Sequence, residues 1–105
     1  MLYLKLNDVL QQLKAFFDDI SEIEEVYLFG SVAKGNHLPW SDIDLLVLSK
    51  NPRKISSLIS SFLDEIFVKQ GILISVIFQD INNRSIVSRQ FQKEGKLIWA
   101  KKNSS

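Results

Sequence analysis

An apolar run ending Tyr27-Leu28-Phe29-Gly30-Ser31 is followed, after ten further residues, by a second that opens Asp42-Ile43-Asp44-Leu45-Leu46-Val47. That interval restricts how the two runs can pair. A parallel crossover needs a dozen or more residues and usually a helix, so two strands joined this closely must run antiparallel. The end of the first then lies beside the start of the second, which brings Ser31 next to Asp42 at one edge of a sheet. Side chains along a strand alternate faces with period two, so Asp42 and Asp44 project from one face and Ile43 from the other.

Two carboxylates about 7 Å apart on one strand face repel by about 2 kcal/mol at an effective dielectric near 20, a cost that a purely structural strand avoids. A divalent cation reverses the sign. Mg²⁺ takes one or two carboxylates together with substrate phosphates and keeps several waters, so Asp42 and Asp44 suit a nucleotide-bound Mg²⁺ (or Mn²⁺) better than an all-protein cage. Gly30 and Ser31 supply the complementary half. A glycine at a strand end lets backbone N–H groups approach a phosphate, and the serine hydroxyl adds a neutral donor. Taken alone, Asp42 and Asp44 would read as a solvated strand start with Ser41 as a turn residue. The Gly-Ser partner shifts the balance to metal binding.

At 105 residues the chain has room for one domain, assigned to residues 1–100 with a disordered tail at 101–105, and none for a second nucleic-acid or acceptor domain. A formal net charge of +1 with 24% charged residues gives no overall positive field, which argues against a nucleic-acid partner. The absence of cysteine excludes disulfides and thiolate zinc sites. With no apolar run of membrane-spanning length and no signal-peptide pattern, the chain reads as soluble and cytoplasmic.

Leu6, Val9, Leu10, Leu13, Phe16, Phe17 and Ile20 recur at helical spacing, with Asn7 or Asp8 placed to cap the start. Asp18, Asp19, Glu22, Glu24 and Glu25 then read as a solvated helix end and loop rather than a metal cluster. Val26–Phe29 and Ile43–Leu48 are short continuous apolar runs of the kind buried strands show. Asn51-Pro52 opens a helix carrying Ile55, Leu58, Ile59, Phe62, Leu63, Ile66 and Phe67, and Gly71 ends it. Ile72–Phe78 forms a third strand, Asn82 or Asn83 starts a last helix to about Lys93, and a terminal strand ends near Trp99. The fold class is α/β (α+β): a small mixed sheet of three to four strands covered by helices on one face. The long helix between strands two and three lets them run parallel. Trp99 and the carboxyl-terminal segment offer apolar surface to a second subunit or another protein.

The composite of apolar strand, Gly30-Ser31, Lys34-Gly35, Ser41, Asp42-x-Asp44 and second apolar strand resembles the signature of the nucleotidyltransferase superfamily that includes DNA polymerase β. More closely, the chain resembles the minimal nucleotidyltransferases, many of them antitoxin-like partners of HEPN-domain proteins. The match is specific over Val26–Leu48 and weaker elsewhere, including Lys93-Glu94-Gly95-Lys96-Leu97-Ile98. The resemblance implies ATP or another NTP as substrate, Mg²⁺ on Asp42 and Asp44 as the catalytic pair, and nucleotide contacts from Gly30, Ser31, Lys34 and Ser41. It further implies transfer of AMP to a hydroxyl of a HEPN-type partner, so that the protein acts as an antitoxin. Lys34 reads equally as a surface lysine, and Trp40 as a stacking residue or as packing under the loop; His37 is left unassigned.

One departure matters. Active relatives carry a third acidic residue on strand three, and the equivalent position here is Ser75, with Asp80 the nearest carboxylate but at the far end of a parallel strand. A serine is neither an anionic ligand nor a strong base. The alternative function is therefore a nucleotide- or partner-binding module with little or no transfer activity that neutralises its partner by masking it.

Overall fold

The computed structural model describes residues 2–29, 43–82 and 95–101, with side chains from residue 7 onward. Its elements are α1 (Leu2–Asp18), β1 (Ile23–Phe29), β2 (Ile43–Ser49), α2 (Pro52–Gln70), β3 (Ile74–Asp80) and β4 (Lys96–Ala100). The strands form one mixed sheet in the order β3-β2-β1-β4. β1 pairs antiparallel with β2, as the short interval between them requires, and β2 pairs parallel with β3 across the α2 crossover. β4 closes the other side, antiparallel to β1. The last helix expected from Asn82 or Asn83 lies almost wholly outside the described residues.

Both helices pack on one face of the sheet. α1 contributes Val9, Leu13 and Phe17, each four residues after the last, and α2 contributes Ile55, Ile59, Leu63 and Ile66. These meet Val26 and Leu28 of β1, Ile43, Leu45 and Val47 of β2, and Ile74 of β3 in a single cluster. Phe16 and Phe62 stack with ring centroids 4.0 Å apart and planes 7° from parallel, joining the helices along their flanks. Leu46 and Leu48, whose parity is that of Asp44, are also fully buried, so β2 is covered on both faces. That double burial accounts for its nearly unbroken apolar sequence.

Several expectations are corrected. α1 begins at Leu2, so Asn7 and Asp8 lie inside it, exposed, and cap nothing. β3 starts two residues later than the apolar run suggested, because Gly71 takes a left-handed conformation (φ 71°) and Ile72 and Leu73 are spent leaving the helix. The Gly71 N–H donates to Phe67 O at 2.8 Å, a helix stop that only glycine adopts without strain. Leu58 and Phe67, counted as core from periodicity, are 53% and 50% exposed. They sit on opposite flanks of the stripe centred on Ile59, Leu63 and Ile66, too far round the helix to reach the sheet.

The acidic stretch is a solvated helix end at Asp18 and Asp19 but not a loop at Glu24 and Glu25. β1 starts at Ile23, which places Glu24 and Glu25 within the strand. Glu24 Oε1 is shielded from solvent and, without a hydrogen bond, is neutralised by Lys50 Nζ at 3.5 Å and Lys101 Nζ at 3.9 Å. Glu22 pairs with Lys54 at 3.9 Å, and the Lys101 ammonium also donates to Ser21 O. Beside them Ser49, fully buried, donates from Oγ to Glu22 O at 2.8 Å and accepts the Asn51 N–H at 3.0 Å. One hydroxyl thus ties the start of β1 to the turn into α2. No helix among the described residues is long and apolar enough to cross a membrane.

Replacing Ser49 with alanine should destabilise the domain by about 1–2 kcal/mol, because the Asn51 N–H loses its acceptor and the Glu22 carbonyl its donor at a part-buried site. A thermal melt should register this as a drop of roughly 5 °C per kcal/mol. An unchanged midpoint would show that water replaces the hydroxyl without cost.

Candidate functional site

The antiparallel register of β1 on β2 sets Phe29 opposite Asp44, and the parallel register of β3 sets Ser75 on the other side of Asp44. Phe29, Asp44 and Ser75 therefore form one row across three strands. Neighbouring strands lie about 4.8 Å apart, so the whole row spans about 10 Å. Their side chains project from the face opposite the helices, as the burial of Leu28, Ile43, Leu45 and Ile74 on the helix side requires. Asp44 is half-buried and Ser75 exposed.

A cleft of about 250 Å³ opens on this row, lined by Phe29, Asp44, Leu45, Ser75 and Ile77. Its walls are mostly apolar, with Asp44 the charged group and Ser75 the hydroxyl. Leu73 and Ile77, which flank Ser75 at the same parity, are 48% and 51% exposed. A larger and more open groove of about 750 Å³ lies between α1 and β4. Two of its lining polar groups satisfy each other, the Trp99 Nε1–H donating to Asp18 Oδ1 at 2.8 Å. The Trp99 ring meets Phe17 edge-on at 6.1 Å and packs against the core, so its apolar surface is largely spent within the chain rather than offered to a partner.

Of the residues singled out from sequence, Asp44 and Ser75 stand side by side. Gly30, Ser31, Lys34, Ser41 and Asp42 lie outside the described residues, as do His37, Trp40 and Glu94. The described chain stops at Phe29 on one side of the gap and resumes at Ile43 on the other, both at the Asp44 end of the sheet. Asp80 pairs with Ser49 at the opposite end, as parallel pairing requires. Its Oδ1 accepts the Asn82 N–H at 2.9 Å in a local turn, a role unrelated to the cleft. Among the described residues no three His, Cys, Asp or Glu side chains come together as a metal site. Among the described residues Asp44 is the one carboxylate that lines the cleft.

Sequence reasoning missed Gly95. A Cβ at this position would come within 2.5 Å of Phe29 Cε1 and 2.8 Å of Phe29 Cζ. The glycine makes room for the ring that walls the cleft. The available signal was a glycine just before the last apolar run, which reads as a turn until the ring beside it is known.

The chain belongs to the nucleotidyltransferase domain family, whose model matches residues 10–99. It is 35% identical to the "Putative protein adenylyltransferase MJ1305" of Methanocaldococcus jannaschii over 87 residues, covering 79% of this chain and 58% of that protein. The chain thus spans little more than half the length of this relative. Among solved structures it is similar to a "putative nucleotidyltransferase" from Sulfolobus solfataricus, with 27% identity and a TM-score of 0.52 over 92% of this chain and 79% of that one. A toxin-antitoxin structure with AMP-PNP matches at 26% identity and a TM-score of 0.51, over 87% of this chain and 72% of that one. The mixed sheet with its helices is the nucleotidyltransferase fold expected from the motif.

Gly95→Ala should cost about 1–3 kcal/mol by crowding Phe29. Much of that loss should return in the Gly95→Ala, Phe29→Leu double variant, where the smaller side chain leaves space. Denaturant titration of the four proteins measures the coupling. Additive losses would show that the ring does not meet residue 95.

Proposed function

We propose that this protein transfers AMP from ATP, with Mg²⁺, to a hydroxyl of a partner protein, and that the partner is a HEPN-type toxin which the transfer neutralises. The observation that carries the reading is the Phe29-Asp44-Ser75 row. It sets the second aspartate of the Asp-x-Asp pair directly across from the strand that leads into Gly30-Ser31. Family membership, the adenylyltransferase relative and the toxin-antitoxin structure with AMP-PNP support it. In this reading Asp42 and Asp44 hold the cation, which neutralises charge on the triphosphate. Gly30, Ser31, Lys34 and Ser41 contact the nucleotide. Rate enhancement would come from positioning and charge neutralisation, the usual sources in phosphoryl-type transfer.

Ser75 favours a second reading. It stands beside Asp44 where a carboxylate would help bind metal and deprotonate an incoming hydroxyl, and it can do neither well. A protein so equipped could bind nucleotide and mask its partner with little transfer. Transfer of labelled AMP to the co-expressed partner separates the two. Label on the partner supports the enzyme. Tight association without label, in the presence of ATP and Mg²⁺, supports masking.

Two outcomes are expected on variants. Asp42→Asn with Asp44→Asn should abolish the Mg²⁺-linked part of ATP binding in calorimetry while the melting temperature stays near that of the parent, since removing like charges relieves repulsion. Equal affinity with and without Mg²⁺ in both proteins would sink the metal site. Ser75→Asp should raise single-turnover transfer to the partner by about a hundredfold. Because Ser75 is exposed, the new carboxylate does not enter the core, and a variant that folds normally without tighter Mg²⁺ binding would refute the third-ligand role.

A further inference from the structure

We infer that Ser75 is itself a nucleotidyl acceptor, so that the protein modifies its own site; this rests on the nucleotidyl-transfer reading above. Among the described residues, Ser75 carries the hydroxyl that lines the cleft with Asp44. It is the direct strand neighbour of Asp44 and is exposed. The other hydroxyls of the described sheet are committed elsewhere. The Tyr27 hydroxyl donates to Glu25 Oε2 at 3.3 Å, on the side of Tyr27 away from Phe29, and Ser49 is buried at the opposite end, bonded to Glu22 O.

The step balances with ATP alone. The Ser75 Oγ attacks the α-phosphorus and forms a P–O bond. The bond from that phosphorus to the bridging oxygen breaks, pyrophosphate leaves, and the hydroxyl proton passes to solvent. The product is a serine-AMP phosphodiester. General-base help is worth about 10²–10⁴ in rate, a loss that a nucleophile held on the neighbouring strand offsets by proximity. The substitution that weakens transfer to an outside hydroxyl supplies a nucleophile fixed to the same strand row. A nucleotide left on Ser75 would occupy the cleft that the next ATP enters, so self-modification switches off further transfer to the partner in proportion to the modified fraction.

The test incubates the whole protein with ATP and Mg²⁺, follows intact mass, maps the adduct by peptide fragmentation, and measures ATP binding by calorimetry before and after. Expected are one AMP per chain on the Ser75 peptide, a rate constant independent of protein concentration, and loss of ATP binding in proportion to the modified fraction. Ser75→Ala, whose folding is checked by its melting temperature, should carry no adduct. An adduct on another residue, a rate that rises with protein concentration, or unmodified protein that nonetheless binds ATP with Mg²⁺ would overturn self-modification and leave the nucleotidyl-transfer reading standing. Absence of any Mg²⁺-linked ATP binding would overturn both.

Discussion

The pairing of β2 with strands on both sides is the constraint on which the remaining structure depends. β1 approaches it antiparallel and β3 parallel, and each pairing fixes six or seven residues in register. Because side-chain direction alternates, that register decides at once which residues form the core and which form the cleft. Ile43, Leu45 and Val47 turn toward the helices and hold them, while Asp44 turns the other way between Phe29 and Ser75. The burial that stabilises the domain and the geometry that assembles the site are two faces of one strand.

The two ends of the sheet are built differently. At the end where β2 leaves for α2, a buried hydroxyl, two lysines around Glu24, and a third pairing with Glu22 bind β1, the β2 exit and the β4 exit together. The lysine heads are largely exposed, so the ion pairs contribute little individually, and the Ser49 hydrogen bonds carry more of the local stability. At the Asp44 end the sheet instead presents apolar walls, one carboxylate and one hydroxyl. The polar ties and the cleft are thereby set at opposite ends of strands of seven residues.

Much of this was legible in the sequence. The short interval before Asp42 dictated antiparallel pairing, the Asn51-Pro52 and Gly71 pair bracketed α2 to the residue, and the parallel return of β3 followed from the length of that helix. Placing Asp80 at the far end needed only strand direction, whereas Ser75 was singled out by the family resemblance and the register then set it beside Asp44. What escaped was tertiary in origin. Glu24 looked like a loop residue because local composition says nothing of lysines arriving from residues 50 and 101. Leu58 and Phe67 looked like core because periodicity marks a face without giving the width the sheet can cover. Gly95 could not be assigned a purpose without the Phe29 ring it accommodates. For Asp42, Gly30, Ser31, Lys34 and Ser41 the motif remains the source of the assignment.

The double burial of β2 has a consequence for how such a protein can change over time. Leu45 and Val47 fill one side and Leu46 and Leu48 the other, each at most 1% exposed. A strand packed on both sides has no neutral direction in which to slide or lengthen by one residue, since any slip drives Asp44 into oil and a leucine into the cleft. Within the sheet, this cleft can therefore be retuned by exchanging side chains on the neighbouring strands, with the scaffold held still. Position 75, at the margin of that locked register and open to solvent, is where such an exchange costs the fold least.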